Sequence, residues 1–333
     1  MVFLVRVRIG ARGASIVGSG FSVALDHAGA TSALRFISHA HSDHIFDLRA
    51  GQKAVCSEPT EILAALRGKF FTKVQLDSAE LVPTGHILGS SALYIHDEFL
   101  YTGDFNDRDR EFSDGFRPPR AKVVVTEATY GVEKFVFDSE QDVISEAADR
   151  ITDLLRKDKC AIITGYPLGK SQHLQMMFDP YFHGVASYSW PSIETYNDIY
   201  RLFGEKISRK KEIAAGVEAE LLDGRSPKVV YMPSYAKRLP LYAEMRRKGA
   251  VSFGFSGWSL MGQYSEAVDV DQAFPISDHA DFNGLMRTVE RAEPEKVYVT
   301  HGFTKELAKA LRGRGIDASP LSGARGRLSF FLD

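Results

Sequence analysis

Residues 39–44 read His39-Ala-His41-Ser-Asp43-His44, directly after the apolar run LRFIS. Four potential metal ligands in six residues, at what reads as the end of a strand, constrain this chain more than any other stretch. Similar residues recur where other apolar runs stop. Asp26 ends FSVALD, His86 follows LVPTG, Asp104 ends EFLYTGD, His279 follows AFPISD and His301 ends KVYVTH. Strand ends are where α/β folds assemble their sites. Imidazole and carboxylate donors without thiolate favour Zn, Mn or Fe over a Cys-rich structural zinc site. His39, His41, Asp43, His44, His86, Asp104 and His301 are too many donors for one tetrahedral ion. Two divalent ions ~3.5–4 Å apart would use them all and would suit hydrolysis of a phosphoryl or acyl centre. Zinc is the first expectation and manganese the second.

Around that cluster the pattern is α/β. Up to about residue 130, short runs such as VFLVRVRI, ASIVGSGFSVALD, KAVCS, KVQLD, SALYIHD and AKVVVTEATYG carry the β-branched and aromatic enrichment of strands. One helix interrupts them, EPTEILAALRGK, with Pro59 in its first turn and Gly68 at its end. From Asp138 onward helical spacing alternates with strands, and the chain closes on two strand-loop-helix units. A chain of 333 residues holds roughly two domains at about 150 residues each.

The His-x-His-x-Asp-His run resembles motif 2 of the metallo-β-lactamase superfamily. Asp26 is similar to motif 1, His86 in GHILGS to motif 3 and Asp104 in YTGDF to motif 4. TEATYG (Glu127), SDHAD (His279) and VTHG (His301) resemble motifs A, B and C of the β-CASP group, the nucleic-acid-cutting branch. The resemblance implies an αβ/βα four-layer sandwich with an α/β cap domain inserted after motif A. Residues 1–136 and 272–333 would form the catalytic domain and 137–271 the cap. It further implies one ion on His39, His41 and His86, the other on Asp43, His44 and His301, with Asp104 bridging and Asp26 orienting the ligands. His279 would be the general acid and Glu127 the carboxylate that aims it. His27, His96, His173 and His183 fall outside every motif and read as structural or solvent-facing.

The implied partner is single-stranded DNA or RNA, which must be held by positive charge. The formal charge is −2, yet Arg201–Lys248 contains 12 Lys/Arg against six Asp/Glu. Arg209, Lys210, Lys211, Lys237 and Arg238 are candidate phosphate contacts, and Tyr166, Tyr231, Tyr235 and Trp258 candidate stacking platforms. GYPLGKS is one residue short of a nucleotide-binding P-loop, so no nucleotide cofactor is expected, although Lys170 could still meet a phosphate. A non-catalytic scaffold would show lost ligands, and none is lost. Thioester or lactone hydrolysis leaves motifs A to C without a purpose. Among nucleases, the chain looks most similar to the ligase-associated DNA exonuclease group, with RNA 3′-end-processing enzymes the alternative; a ligase, repair or processing partner stays open. The N-terminus reads as a strand rather than a signal peptide, no run is long enough to span a bilayer, and Cys56 and Cys160 read as buried free thiols. Those features suit the cytoplasm.

Overall fold

The computed structural model describes residues 6–10, 13–18, 20–27, 34–110, 113–223 and 226–321. Contacts divide the chain into two units, one within Met1–Val136 and Asp278–Phe330, the other built on Phe137–Ser277. Residues 272–277, which the motif reading assigns to the catalytic domain, run with the second unit.

The first unit opens with a six-stranded sheet: β1 (Arg6–Gly10), β2 (Gly13–Gly18), β3 (Phe21–Leu25), β4 (Leu34–Phe36), β5 (Lys53–Val55) and β6 (Thr72–Lys73), in that order. The run ASIVGSGFSVALD is a hairpin rather than one strand, because β2 and β3 pair antiparallel. From β3 to β6 the pairing is parallel. The first half of VFLVRVRI lies outside the described residues. Helix α1 (Ser42–Ile45) follows β4, and α2 (Glu58–Leu66) follows β5. Ser57 caps α2 by accepting from the Thr60 amide, Pro59 lies in the first turn and Gly68 takes a positive φ just beyond the end.

A second sheet begins with β7 (Glu80–Pro83), β8 (Ser91–Ile95), β9 (Asp97–Tyr101) and β10 (Ala121–Thr126). The chain then leaves for the second unit, a parallel sheet of β11 (Cys160–Gly165), β12 (Ala186–Ser189), β13 (Lys211–Glu212), β14 (Lys228–Pro233), β15 (Val251–Phe255) and β16 (Gln272–Phe274). Its strand order is β13-β12-β14-β11-β15-β16. Ala161, Ile163, Val229 and Tyr231 pack with α3 (Glu140–Leu155), α4 (Lys170–Phe178) and Ile193 of α5 (Pro191–Leu202). The alternate residues Ile162, Val230 and Met232 pack with α6 (Glu218–Leu221) and α7 (Pro240–Arg247). Both faces are thus covered by helices, as an all-parallel sheet requires.

After α8 (Tyr264–Ala267) and α9 (Phe282–Ala292) the chain completes the second sheet with β17 (Lys296–Val299), α10 (Thr304–Gly313) and β18 (Ala318–Pro320). The order is β18-β17-β10-β9-β8-β7. Strand alternation sorts its side chains. Leu93, Ile95, Phe99, Tyr101 and Val125 meet Ile16, Val23, Leu25 and Phe36 of the first sheet. Ala92, Tyr94, Leu100, Val124, Val297 and Val299 meet α9 and α10. The first unit is therefore two sheets face to face, with helices over the far face of the second. Among the described residues no helix is long and apolar enough to cross a membrane. Cys56 is buried and Cys160 partly so, both are free, and burial pushes both thiols up to about 12.

Candidate metal centre

The site follows from register. β3 and β4 are parallel with Leu25 opposite Phe36, so Asp26 and Ser38 leave the sheet at the same edge. In the second sheet β9, β10 and β17 are parallel, with Tyr101 opposite Val125 and Thr126 opposite Val299. Asp104, Glu127 and His301 then emerge together, one to three residues past their strands. His86 follows β7, which runs parallel to β9 through two antiparallel steps. Gly103 has a φ of +57°, and a Cβ there would meet the Ser38 side chain at 2.5 Å. Only glycine lets the Asp104 turn approach the His39 loop so closely.

Three groups of donors converge. His39, His41 and His86 form one, His39, His44 and Asp104 a second, and His86, Asp104 and His279 a third, each within 4.8 Å. His41 Nδ1 is 3.1 Å from Nε2 of both His39 and His86. Nitrogens bound to one ion at ~2.0–2.1 Å lie about 3–3.4 Å apart, so this spacing fits a shared cation. Asp104 Oδ2 stands between the groups, 3.3 Å from His44 Nε2, 3.6 Å from His39 Nε2 and 3.9 Å from His86 Nε2. Burial, reinforced by the neighbouring imidazoles, holds His39 and His86 well below the ordinary histidine range, in the neutral form that ligates. Burial also pushes His44 down, but Asp104, Asp43 and Asp26 outweigh it and raise it well above that range. Buried neutral imidazoles beside an ionised carboxylate are a donor set suited to divalent cations.

Asp26 belongs to none of the three groups; it holds their supports. Its carboxylate accepts from the Ser38 amide at 2.7 Å, the Ser38 hydroxyl at 2.7 Å and the Tyr101 hydroxyl at 2.7 Å, and contacts His44 Nδ1 at 2.9 Å. Burial raises its pKa, yet the contacts with His44, Tyr101 and Ser38 win and bring it to about 2. Ser38 Oγ continues the chain of contacts to His39 Nδ1 at 3.0 Å. The motifs give no notice of Ser38 and Tyr101; their positions, one residue before His39 and at the last residue of β9, are the signal.

Opposite, Glu127 is buried and accepts from the Phe105 amide at 2.9 Å. His279 Nδ1 lies 2.9 and 3.0 Å from the two Glu127 oxygens. The His279 loop is pinned by the Ala280 amide on the Phe105 carbonyl, and by Asp281, whose side chain caps α9. Burial pushes His279 down, but Glu127, Asp104 and Asp278 outweigh it and raise it to about 9.

Asp43 and His301 stand outside the three converging groups. Asp43 is 3.7 Å from His44 Nε2 with its side chain 62% exposed. His301 Nε2 instead meets His27 Nε2 at 3.1 Å. His27, read from the sequence as structural or solvent-facing, is a partly buried neighbour of His301. Asp26 and His301 both take left-handed backbone, φ 52° and 55°, which costs about 1–2 kcal/mol for a residue with a Cβ and often marks functional turns.

The nucleic-acid candidates fare differently. Lys170 is buried, and its ammonium donates to the Ile276 carbonyl at 2.9 Å. The Gly169 amide is taken by Gln172 Oε1 at 2.7 Å, so this turn does not offer the phosphate cradle that the sequence suggested. Lys210 is paired with Asp179, Lys211 with Glu220, and Lys237 donates to the Val268 carbonyl. Tyr231 lies in the core, which removes it as a stacking platform. Arg209 is well exposed and pairs with Asp198 at 3.2 Å. Arg238 and Tyr235 are exposed, and Trp258 partly so.

A family model described as the Zn-dependent metallo-hydrolase RNA specificity domain matches residues 272–319. A probable DNA ligase of Opitutus terrae is 30% identical over 304 residues, covering 85% of this chain and 28% of that protein. Endoribonuclease ysh-1 of Neurospora crassa is 28% identical over 32% of this chain and 13% of its own length. Transcription termination factor FttA of Methanothermobacter thermautotrophicus is 30% identical over 29% of this chain and 16% of its own. The chain thus spans less than a third of each of these curated relatives. A crystal structure of a protein of unknown function from Enterococcus faecalis V583 superposes with a TM-score of 0.58, over 92% of this chain and 94% of that one, at 14% identity, a likeness of fold.

Proposed function

We propose that this chain, which belongs to the β-CASP group of the metallo-β-lactamase superfamily, is a two-metal nuclease that hydrolyses phosphodiester bonds of single-stranded nucleic acid. The observation that carries the reading is the pairing of a buried imidazole–carboxylate donor cluster with the His279–Glu127 dyad beside it. His39, His41 and His86 would hold one divalent ion, Asp43, His44 and His301 the other, and Asp104 would serve both. Zinc suits these donors best, with manganese next. Such a pair supplies Lewis acidity at the phosphoryl oxygens and a water of lowered pKa.

The chain's own groups do the rest. Glu127 accepts the Nδ1–H of His279 and stabilises the imidazolium, so the ring stays protonated at neutral pH. It is then suited to deliver a proton to the departing oxygen. Asp26 fixes the ring of His44 directly and that of His39 through Ser38. The site lies on Met1–Val136 and Asp278–Phe330, which would be the catalytic domain, with the parallel-sheet unit as the cap.

DNA is the preferred strand in this reading, supported by the similarity to a probable DNA ligase across 85% of the chain. The second reading is RNA, favoured by the RNA specificity model over residues 272–319 and by the relative named an endoribonuclease. Matched 5′-labelled DNA and RNA single strands, given to the zinc- or manganese-loaded protein, separate the two. Faster cutting of DNA is expected; faster cutting of RNA overturns the DNA assignment, and cutting of neither overturns the nuclease reading.

A further inference from the structure

His27 sits one residue past Asp26, outside every motif, and its Nε2 is 3.1 Å from Nε2 of His301, 274 positions away. This separation equals the one between His41 and its partners in the first donor group. Two imidazole nitrogens facing each other so closely cannot both carry a proton. Either one donates to the other, or both direct lone pairs at one cation, for which about 3–3.4 Å is the natural chord. The His301 nitrogen involved is the one left for a metal, because Nδ1 faces Thr300 Oγ1 at 3.2 Å.

The backbone commits both rings to this meeting. The His27 amide donates to the Leu25 carbonyl at 2.6 Å, closing a three-residue turn around left-handed Asp26. That turn sends the carboxylate of Asp26 to His44 and the ring of His27 to His301. Gly13 backs the ring: a Cβ there would come within 3.2 Å of the His27 Cβ. His301 is itself left-handed, followed by Gly302 at φ +70°, where a Cβ would strike the Ala128 carbonyl oxygen at 2.2 Å. The rings of His27, His44 and His301 lie 5.4 to 6.0 Å apart, centre to centre.

We propose that His27 is a ligand of the second metal ion, entering its shell together with His301 as a two-imidazole arm. This inference rests on the two-ion reading above. The second site would then be richer in nitrogen than the motif set of Asp43, His44 and His301 alone. That composition favours zinc or cobalt over manganese at this position.

The test counts ions and reads their environment as well as activity. Wild type, His27→Ala, His27→Gln and His39→Ala are loaded with Zn²⁺, dialysed against a mild chelator and analysed for metal per chain. Parallel Co²⁺-loaded samples are examined by visible absorption. His27→Ala is expected to keep one ion and to bind the second more weakly by at least the ~10–100-fold that loss of an outer-shell partner alone costs. Its cobalt spectrum should change in the component that titrates second. His27→Gln keeps a polar group near Nε2, so it would restore a role limited to hydrogen-bonding His301; it is expected to fail here. Should His27→Ala not fold, His27→Gln carries the test alone. Two ions and an unchanged spectrum in His27→Ala, or full recovery in His27→Gln, overturn the inference. A wild type holding only one ion, or a His39→Ala variant that keeps both, overturns the two-ion reading beneath it.

Discussion

The histidine cluster and the basic stretch from Arg201 to Lys248 both stand out in the sequence, and the structure treats them in opposite ways. In the cluster, side chains far apart in the chain come within hydrogen-bonding distance, as when His279 Nδ1 meets the carboxylate of Glu127, 152 positions away, at 2.9 and 3.0 Å. In the basic stretch, most cations are engaged inside their own unit. Lys210 holds Asp179, Arg246 holds Asp271, Arg247 holds Glu244, and Lys228 is buried against the Glu220 and Asp223 carbonyls. Strand-end position is information about convergence, because parallel register fixes which ends lie together. Charge density carries no such information. Asp179, Asp198 and Asp271 lie outside the counted window, so the local excess of cations overstates what is left for a phosphate.

The largest effect should come from the cluster. His39→Ala removes a residue shared by two donor groups and is expected to lower single-strand cleavage by at least about 10³-fold, beyond the ~10–100-fold of an outer-shell change. Loss of one ion per chain should accompany it. Activity near wild type would show that the cluster does not carry the chemistry.

Glu127→Gln should cost about 10²-fold in kcat, the lower range for acid–base assistance, and should change the pH profile. His279 is raised to about 9, so its protonated form persists through neutral pH and is lost as pH rises through about 9. Without the Glu127 charge that value falls toward the ordinary histidine range. The alkaline limb of kcat should therefore move to lower pH, and an unmoved limb would separate His279 from the observed proton transfer.

Asp26→Asn sharpens the same side. It keeps the shape but weakens the contacts to Ser38, Tyr101 and His44, and about a 10-fold loss in metal affinity is expected by equilibrium dialysis. Unchanged affinity would reduce Asp26 to a core hydrogen-bond acceptor.

These effects also mark what the sequence made legible. The coming together of Asp26, His39, His41, His86, Asp104, Glu127 and His279 was foreseeable because each follows an apolar strand and matches a motif. His27 was not, since its role depends on the left-handed turn at Asp26, and periodicity carries no sign of φ. Lys170 misled for a different reason. Its turn resembles a phosphate loop in sequence, whereas its fate depends on the Ile276 carbonyl 106 residues away. The hairpin in ASIVGSGFSVALD was hidden because the apolar pattern runs through Gly18 and Gly20 almost unbroken.

The smallest effects belong to the basic stretch. Lys210→Ala and Lys211→Ala should change single-strand affinity less than about twofold, since each ammonium is already held by a carboxylate. Arg238→Ala, on an exposed side chain, should weaken binding by a few-fold and reduce the salt slope by about one. Fluorescence anisotropy over a salt series reads both. A reversal, with Lys210 mattering more than Arg238, would mean that the internal ion pairs open to admit the strand.

In the proposed function everything rests on the imidazole–carboxylate cluster acting as a two-metal hydrolytic centre. The most direct measurement is cleavage of a labelled single strand by one preparation, with metal per chain counted before stripping, after stripping with a chelator, and after readdition of Zn²⁺ or Mn²⁺. Two ions and activity are expected at the start, then loss of both together and recovery of both together. Cleavage that persists in the stripped protein, or full activity with no more than one ion bound, would contradict it.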